Sequence, residues 1–173
     1  SLTESEKERL YSPYFEVIYN SIQNYTPLSS RDDMIEEKVH YIIIANEIFD
    51  GYLDDFIDWK TMKGFDVDIA YTNQIGSSSS AIRSYISNSY NSLDTAPSFV
   101  LIVGDEQQVP ASYTNTSGYG GGHVSDLDYS DMTNDGIPDI LIGRFSAQNP
   151  SQLLAQTAKT IEYERYEMDD LQL

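Results

Sequence analysis

Runs of apolar residues alternate with amphipathic stretches along most of this 173-residue chain. VHYIIIAN (39–46) is a continuous β-branched run, which is typical of a strand covered on both faces. FDVDIAY (65–71) alternates like a second strand, SFVLIVGD (98–105) is a third apolar run, and DILIGRF (139–145) is a fourth. The pattern therefore predicts four strands.

The stretch between the first two runs predicts an amphipathic helix. Asp50 is placed to cap its first turn, and Gly64 is placed to end it. Its apolar positions recur at spacings of three and four, at Leu53, Phe56, Ile57 and Met62, with Trp59 beside them.

Two more helices are predicted, after the second and the fourth strands. Ser79 or Ser80 would cap the first of them, and the second begins at Pro150, which suits a first helical turn, and ends near Glu167. Their apolar positions are Ile82, Tyr85, Ile86 and Tyr90 in one helix and Leu154, Ala158 and Ile161 in the other.

Strands that alternate with helices predict an α/β fold, a three-layer sandwich whose mostly parallel sheet has helices on both faces. The polar, mixed residues 1–38 precede this domain, with a boundary near Glu37. SGYGGGH (117–123) lacks the lysine of a P-loop and does not directly join a strand to a helix, so we expect a surface loop.

Composition narrows the functional classes. The chain has 28 acidic and 10 basic residues, a net charge of -18 that repels nucleic acid and attracts divalent cations, although solubility alone explains it equally well. There is no cysteine, which excludes disulfides, thiolate metal sites and a cysteine nucleophile in this chain. The apolar runs are too short to span a membrane.

The stretch YSDMTNDGIPDILIGRF (129–145) contains the most specific spacing of potential metal ligands. A hard cation there would need another carboxylate, and Asp105, at the carboxyl end of the third strand, is the best placed. The stretch is not an EF-hand, because Ile142 occupies the twelfth place, where an EF-hand has a glutamate. The alternative to a cation site is an ordinary hydrogen-bonded turn. Residues that match the odd places and the glycine of an EF-hand loop are Asp131, Thr133, Asp135, Gly136, Ile137 and Asp139.

Catalytic interpretations are weaker. His40 is flanked by apolar residues, as a buried or edge histidine would be. His123 has Ser125 and Asp126 nearby, but the GxSxG motif of a serine hydrolase is absent. Nothing singles out a carboxylate pair for glycoside hydrolysis.

Several ordered motifs resemble the gingipain family of secreted cysteine peptidases. They are YIIIANEIFDGYLDDFIDWKTMKGFDVDIAYTNQIG, IRSYI, FVLIVGDEQQVP, SDLDYSDMTNDGIPDILIGRFS and KTIEYER, which occur in the family's order over residues 39–167. The most specific pieces are WKxxKG, LIVGD, and the segment from DLxYS to GRFS.

The resemblance implies a caspase-like region of two consecutive α/β subdomains, with the catalytic histidine and cysteine both in the second. Residues 39–168 resemble the first, non-catalytic subdomain. Residues 1–38 would be a propeptide end or linker, with Arg31 as a processing point, and 169–173 would begin the connection to the missing catalytic subdomain. No catalytic residue transfers, and we expect the chain to be inactive alone.

The resemblance also implies a structural calcium ion. Its ligands would be Asp105, Asp135, the carbonyl of Ile137 and Asp139, with the Met132 carbonyl or Thr133 as a further ligand. Asp139 stands where relatives often have glutamate, and its shorter side chain could admit water to the site.

We therefore expect a calcium-stabilised part of a secreted or cell-surface cysteine endopeptidase that braces the missing catalytic subdomain. Two alternatives are a stand-alone metal- or partner-binding α/β module and an inactive peptidase homologue with a role in adhesion or secretion. We expect no nucleic-acid partner and no membrane span, and an exposed flank is a candidate surface for self-association of the isolated chain.

Overall fold

The computed structural model describes residues 3–21, 39–114 and 123–166. Its centre is a four-stranded parallel sheet, and two further strands form a separate antiparallel pair. The predicted α/β class with a parallel sheet is confirmed. The strands are β1 (Val39–Ala45), β2 (Phe65–Tyr71), β3 (Phe99–Val103), β4 (Ser112–Thr114), β5 (His123–Ser125) and β6 (Leu141–Phe145), and the sheet order is β2-β1-β3-β6.

Six α-helices accompany these strands in the described residues, together with three short 3-10 turns. Four helices follow the strands, and two belong to the amino-terminal segment. They are α1 (Glu4–Leu10), α2 (Glu16–Ser21), α3 (Asp54–Met62), α4 (Thr72–Ile75), α5 (Ser79–Ser92) and α6 (Pro150–Glu164).

Helices cover both faces of the sheet, as predicted. On one face, Ile43 of β1 packs with Phe56 of α3 and Leu153 of α6. On the other face, Ile42 packs with Ile82 of α5. All five side chains are at most 1% exposed, and burying each large apolar side chain contributes about 1.5–3 kcal/mol. The apolar run of β1 thus supplies both cores of the sandwich.

The predicted cap of the first helix is wrong. Asp50 lies before Leu53, the residue that precedes α3, and its carboxylate instead accepts a hydrogen bond from the Tyr71 hydroxyl at 3.0 Å. Gly64 ends the helix as predicted, with a φ of +94° that favours glycine.

The other two predicted helices shift at one end each. Ser78, rather than Ser79 or Ser80, caps α5, because its hydroxyl accepts the Ala81 N–H at 3.2 Å. The last helix, α6, ends at Glu164 and does not reach Glu167.

Residues 3–21 pack against the amino edge of the sheet. Ser12 is 5% exposed and accepts a hydrogen bond from Ser98 at 2.7 Å, while the ring of Tyr14 meets Phe99 edge-on at 4.7 Å. Phe15 is buried beside them. This part of the segment predicted as a linker or propeptide end therefore contacts the domain closely. The predicted boundary at Glu37 and the processing point at Arg31 lie outside the described residues.

A long connection joins β3 to β6, and it contains the β4–β5 pair and a 3-10 turn, Leu127–Tyr129. Tyr129 is fully buried in the α5-side core, and its hydroxyl donates to the Pro110 carbonyl at 2.5 Å. The glycine-rich loop predicted at 117–123 falls outside the described residues except for His123, which begins β5. Across the described ranges, no helix is both long and apolar enough to cross a membrane.

Candidate functional site

The acidic turn at 131–139 is closed by its own carboxylates. Asp131 accepts hydrogen bonds from the N–H groups of Asp135 at 3.2 Å and Gly136 at 2.9 Å. Asp139 Oδ2 accepts the N–H groups of Met132 at 2.7 Å and Thr133 at 2.9 Å. These bonds satisfy backbone donors that a tight turn would otherwise leave unpaired.

Left-handed backbone geometry completes the turn. Asn134 has a φ of 59° and Gly136 a φ of 82°, both in the region that glycine and asparagine tolerate best. Asp135 Oδ1 accepts the Ile137 N–H at 2.9 Å, and Ile137 is 63% exposed. Met132, by contrast, is buried in the α5-side core. Five of the predicted calcium ligands are thus held within one compact turn.

Arg83 of α5 contacts this turn from outside, and the sequence analysis missed it. Its guanidinium donates to the Asp131 carbonyl at 2.6 Å, to Asn134 Oδ1 at 2.8 Å and to the Asp128 carbonyl at 3.1 Å. The sequence did contain a signal for this contact. Arg83 directly follows Ile82, which lies on the buried face of the predicted helix, so Arg83 lies next to that face. A fixed cation is therefore already bound to the oxygen atoms of the turn.

Asp105 lies at the carboxyl edge of the sheet, just after β3. Its N–H donates to the Ala147 carbonyl at 2.9 Å, and its carboxylate accepts from Gln148 Nε2 at 2.8 Å and Ser146 Oγ at 3.0 Å. The hydrogen bonds from Gln148, from the Glu106 N–H and from Ser146 hold the pKa of Asp105 below its ordinary value. Its charge is therefore maintained by Ser146 and Gln148, which follow β6, and by the adjacent Glu106 N–H.

The structure does not bring Asp105 to the turn. Asp139 precedes the first residue of β6 by two positions, whereas Asp105 is level with Ala147, beyond the other end of that strand. The two strands are parallel, and five residues of parallel strand span about 17 Å. The six predicted ligands therefore do not form one site in this structure.

The turn alone has the chemistry that calcium prefers, because carboxylate and carbonyl oxygens are its usual ligands. Within residues 3–21, 39–114 and 123–166, no three histidine or acidic side chains are arranged so that they could hold a metal ion. Calcium binding remains a prediction for the turn without Asp105.

A cavity of about 230 Å³ lies at the carboxyl edge of the sheet. Arg144 of β6 donates to both carboxylate oxygens of Asp126 at 2.7 Å and to the carbonyls of Gly104 at 2.7 Å and Val109 at 2.9 Å. Its guanidinium is thereby committed to partners within the chain. The residues that line the cavity are Asp105, Glu106, Ala111, Val124, Ser125, Asp126 and Arg144.

Gly104 shapes this edge because its backbone lies close to the side chains of Gln108 and Val109. Its φ is +135°, and a Cβ added there would lie 2.8 Å from the Cβ of Gln108. Glycine is therefore required where the chain leaves β3 and turns toward the cavity.

Neither catalytic histidine hypothesis gains support. His40 is 6% exposed, with Nδ1 3.4 Å from Asp66 and Nε2 3.3 Å from Asp68 without hydrogen-bond geometry, as for a buried edge histidine. Ser125 accepts the Leu127 N–H at 3.1 Å, and Asp126 is bound to Arg144. Asp126 is therefore committed to Arg144, and the side chain of His123 lies outside the described part of the structure.

Comparison with known proteins shows the family to which this chain is similar. Residues 35–172 match Peptidase family C25. The chain is 30% identical over 172 residues to Lys-gingipain of Porphyromonas gingivalis and 32% identical over 157 residues to Gingipain R2 of the same organism, alignments that cover 94% and 87% of this chain. They cover only 10% and 20% of those relatives.

Solved structures show the same likeness. The crystal structure of the Arg-specific cysteine proteinase gingipain R matches 80% of this chain with a TM-score of 0.64 and 29% identity. A structure described as the complex of Porphyromonas gingivalis RgpB pro- and mature domains matches 72% of this chain at the same TM-score and identity. The match covers 30% of the first solved chain and 29% of the second. The chain therefore belongs to Peptidase family C25, and it corresponds to a minor part of the gingipains that it resembles.

Proposed function

We propose that this chain is the non-catalytic amino-terminal part of the peptidase region in a gingipain-like cysteine endopeptidase. The observation that carries the proposal is the family match over residues 35–172 in a chain that contains no cysteine. A cysteine peptidase needs a thiolate nucleophile. The nucleophile would therefore belong to a part of the polypeptide beyond these residues.

The role of this chain is then to stabilise the catalytic part by packing against it. The compact sandwich supports such a role, because its two cores are closed around β1 and offer a rigid scaffold. Substrate choice belongs to the catalytic part. An extracellular or cell-surface location is a further element of the proposal and is supported by the kinship with gingipains.

The proposal includes calcium binding by the acidic turn alone, through Asp135, the Ile137 carbonyl and Asp139, with the Met132 carbonyl or Thr133 as a further ligand. Its support is the concentration of carboxylates in nine residues of a chain with a net charge of -18. Crowded carboxylates repel one another, so a divalent cation would hold the turn in its closed form.

Active-site labelling tests the proposed peptidase role. The longer polypeptide is treated with an irreversible peptide inhibitor that alkylates thiolates, and mass spectrometry locates the modified residue. We expect one modified cysteine outside residues 1–173 and loss of peptide hydrolysis in proportion to labelling. Hydrolysis that survives complete thiol alkylation would contradict the proposal.

A further inference from the structure

The two outer strands of the main sheet are protected very differently. In β2, Asp66 and Asp68 place carboxylates that are 63% and 60% exposed along the strand. Charged residues on an edge strand discourage pairing with another strand. The edge at β2 is therefore protected from strand addition.

The β6 edge has no such protection within the described residues. Its sequence is LIGRF, and its single charge, Arg144, is turned inward to Asp126 and to the carbonyls of Gly104 and Val109. The strand contains no proline, and its register in the sheet is regular against β3. Its outer backbone groups can therefore accept another strand.

Exposed apolar surface continues from this edge onto the α6 side of the sheet. Leu141 is 38% exposed and Gly143 is exposed, although the residues paired with them in β3, Phe99 and Leu101, belong to the core of that face. A Cβ added at Gly143 would have only Leu101 Cδ1, at 4.0 Å, as a neighbour. The α6 layer thus leaves β6 partly uncovered.

We infer that this surface, the β6 edge with Leu141 and Gly143, is where the rest of the gingipain-like polypeptide docks, and that it contributes an apolar strand beside β6. This inference rests on the proposed function. The matched part covers only 29–30% of the solved gingipain chains, so a large partner is available within one polypeptide. A second copy is disfavoured, because each chain carries a net charge of -18.

Thiol labelling of the longer polypeptide tests the surface. This chain has no cysteine, so a label found on peptides from residues 1–173 reports only an introduced thiol. Leu141→Cys probes the β6 surface, and Met62→Cys, at a position of α3 that is 69% exposed, is the matched control. If nothing covered the β6 surface, the exposed fractions of 38% at Leu141 and 69% at Met62 would make the two labelling rates differ by only about twofold.

We expect the Leu141→Cys thiol to react at least about tenfold more slowly than the Met62→Cys thiol, at every protein concentration. Comparable rates would overturn the inference. Protection that disappears on dilution would also overturn it, in favour of a second copy as the occupant. Peptide hydrolysis is measured separately on the unmodified polypeptide, which distinguishes failure of the proposed function from failure of this surface.

Discussion

Arg83 and Arg144 each organise a loop by binding several of its oxygen atoms. Arg83 binds the acidic turn, and Arg144 joins the carboxyl edge of the sheet to Asp126. The chain has 10 basic and 28 acidic residues, so few cationic side chains are available to bind its many oxygen acceptors. Hydrogen bonds that involve a charged group contribute about 1.5–3 kcal/mol each.

Replacing Arg83 should destabilise the turn. Arg83→Ala removes donors to the carbonyls of Asp128 and Asp131, and we expect a loss of about 2 kcal/mol in the free energy of unfolding. Lys159→Ala, at an exposed position of α6, removes the same charge and should change stability by less than about 0.5 kcal/mol. Urea unfolding measures both, and equal effects would contradict the role given to Arg83.

Glu164 is the single acceptor for three donors at the end of α6. Its carboxylate receives hydrogen bonds from Lys60 at 2.7 Å, Trp59 at 2.8 Å and Lys63 at 3.0 Å. Burial opposes its ionisation, but these hydrogen bonds outweigh burial and hold the pKa of Glu164 below its ordinary value. The buried ammonium of Lys60 also lies 5.2 Å from the ring centre of Phe56.

The lowered pKa of Glu164 sets a pH dependence. Because the folded state favours the ionised carboxyl, this contribution is complete above the unfolded-state pKa of about 4.3 and is lost as pH falls through the lower, folded-state pKa. Glu164→Gln should be less stable at pH 7 and should lose stability less steeply below about pH 4.3. Thermal melts of both proteins from pH 7 to pH 3 test this, and parallel curves would refute it.

Sequence reasoning reached the turn but not its partners, for a physical reason. Asp131 and Asp139 bind backbone groups four to seven positions away, a range that local spacing encodes. The contacts of Arg83 join residues 45 to 51 positions apart, and the separation of Asp105 from the turn follows from the β3–β6 register. Such long-range relations depend on topology, which the pattern of residue types does not specify.

Among the elements, the four strands of the main sheet were predicted within two residues because each is a short apolar run, whereas the three-residue strands β4 and β5 were not predicted. The caps were harder, since several serines or acids near a helix start are chemically equivalent candidates. Ser78, Ser79 and Ser80 differ only in which backbone N–H their hydroxyl reaches. The packing of the segment between α1 and α2 was also missed, because Ser12 and Tyr14 contact Ser98 and Phe99, which are distant in sequence.

Calcium binding by the acidic turn gives an element-scale prediction. Calcium should raise the melting temperature of the chain relative to excess chelator, and Asp135→Asn should abolish that rise, because it removes a carboxylate from the turn. Asp105→Asn should retain the rise, because Asp105 lies at the other edge of the sheet. Loss of the response in Asp105→Asn, or no response in the unmodified chain, would contradict the proposal.

The amino-terminal segment gives a second prediction at this scale. Phe15→Ala should cost about 3 kcal/mol in stability, because Phe15 is only 6% exposed in a segment whose neighbours Ser12 and Tyr14 contact the amino edge of the sheet. Val17→Ala is the matched control, since Val17 is 83% exposed in the next helix and should matter little. Similar unfolding free energies for the two variants would mean that the segment is a loosely attached linker.

At the scale of the whole molecule, the parallel sandwich agrees with the fold of the family's solved structures, and the absence of cysteine is the basis of the role that we propose. Its two cores meet at β1, its β2 edge carries exposed charges, and among the described residues no strand pairs with the outer side of β6. These features suit a scaffold that packs against a catalytic part.

Peptide hydrolysis by two proteins, the 173-residue chain and the longer polypeptide that contains it, tests the central claim most directly. We predict hydrolysis by the longer polypeptide, inactivation of that activity by thiol alkylation, and no hydrolysis by the 173-residue chain. Turnover of a peptide substrate by the cysteine-free chain alone would contradict the account, because the nucleophile would then lie among residues that we have described as a scaffold.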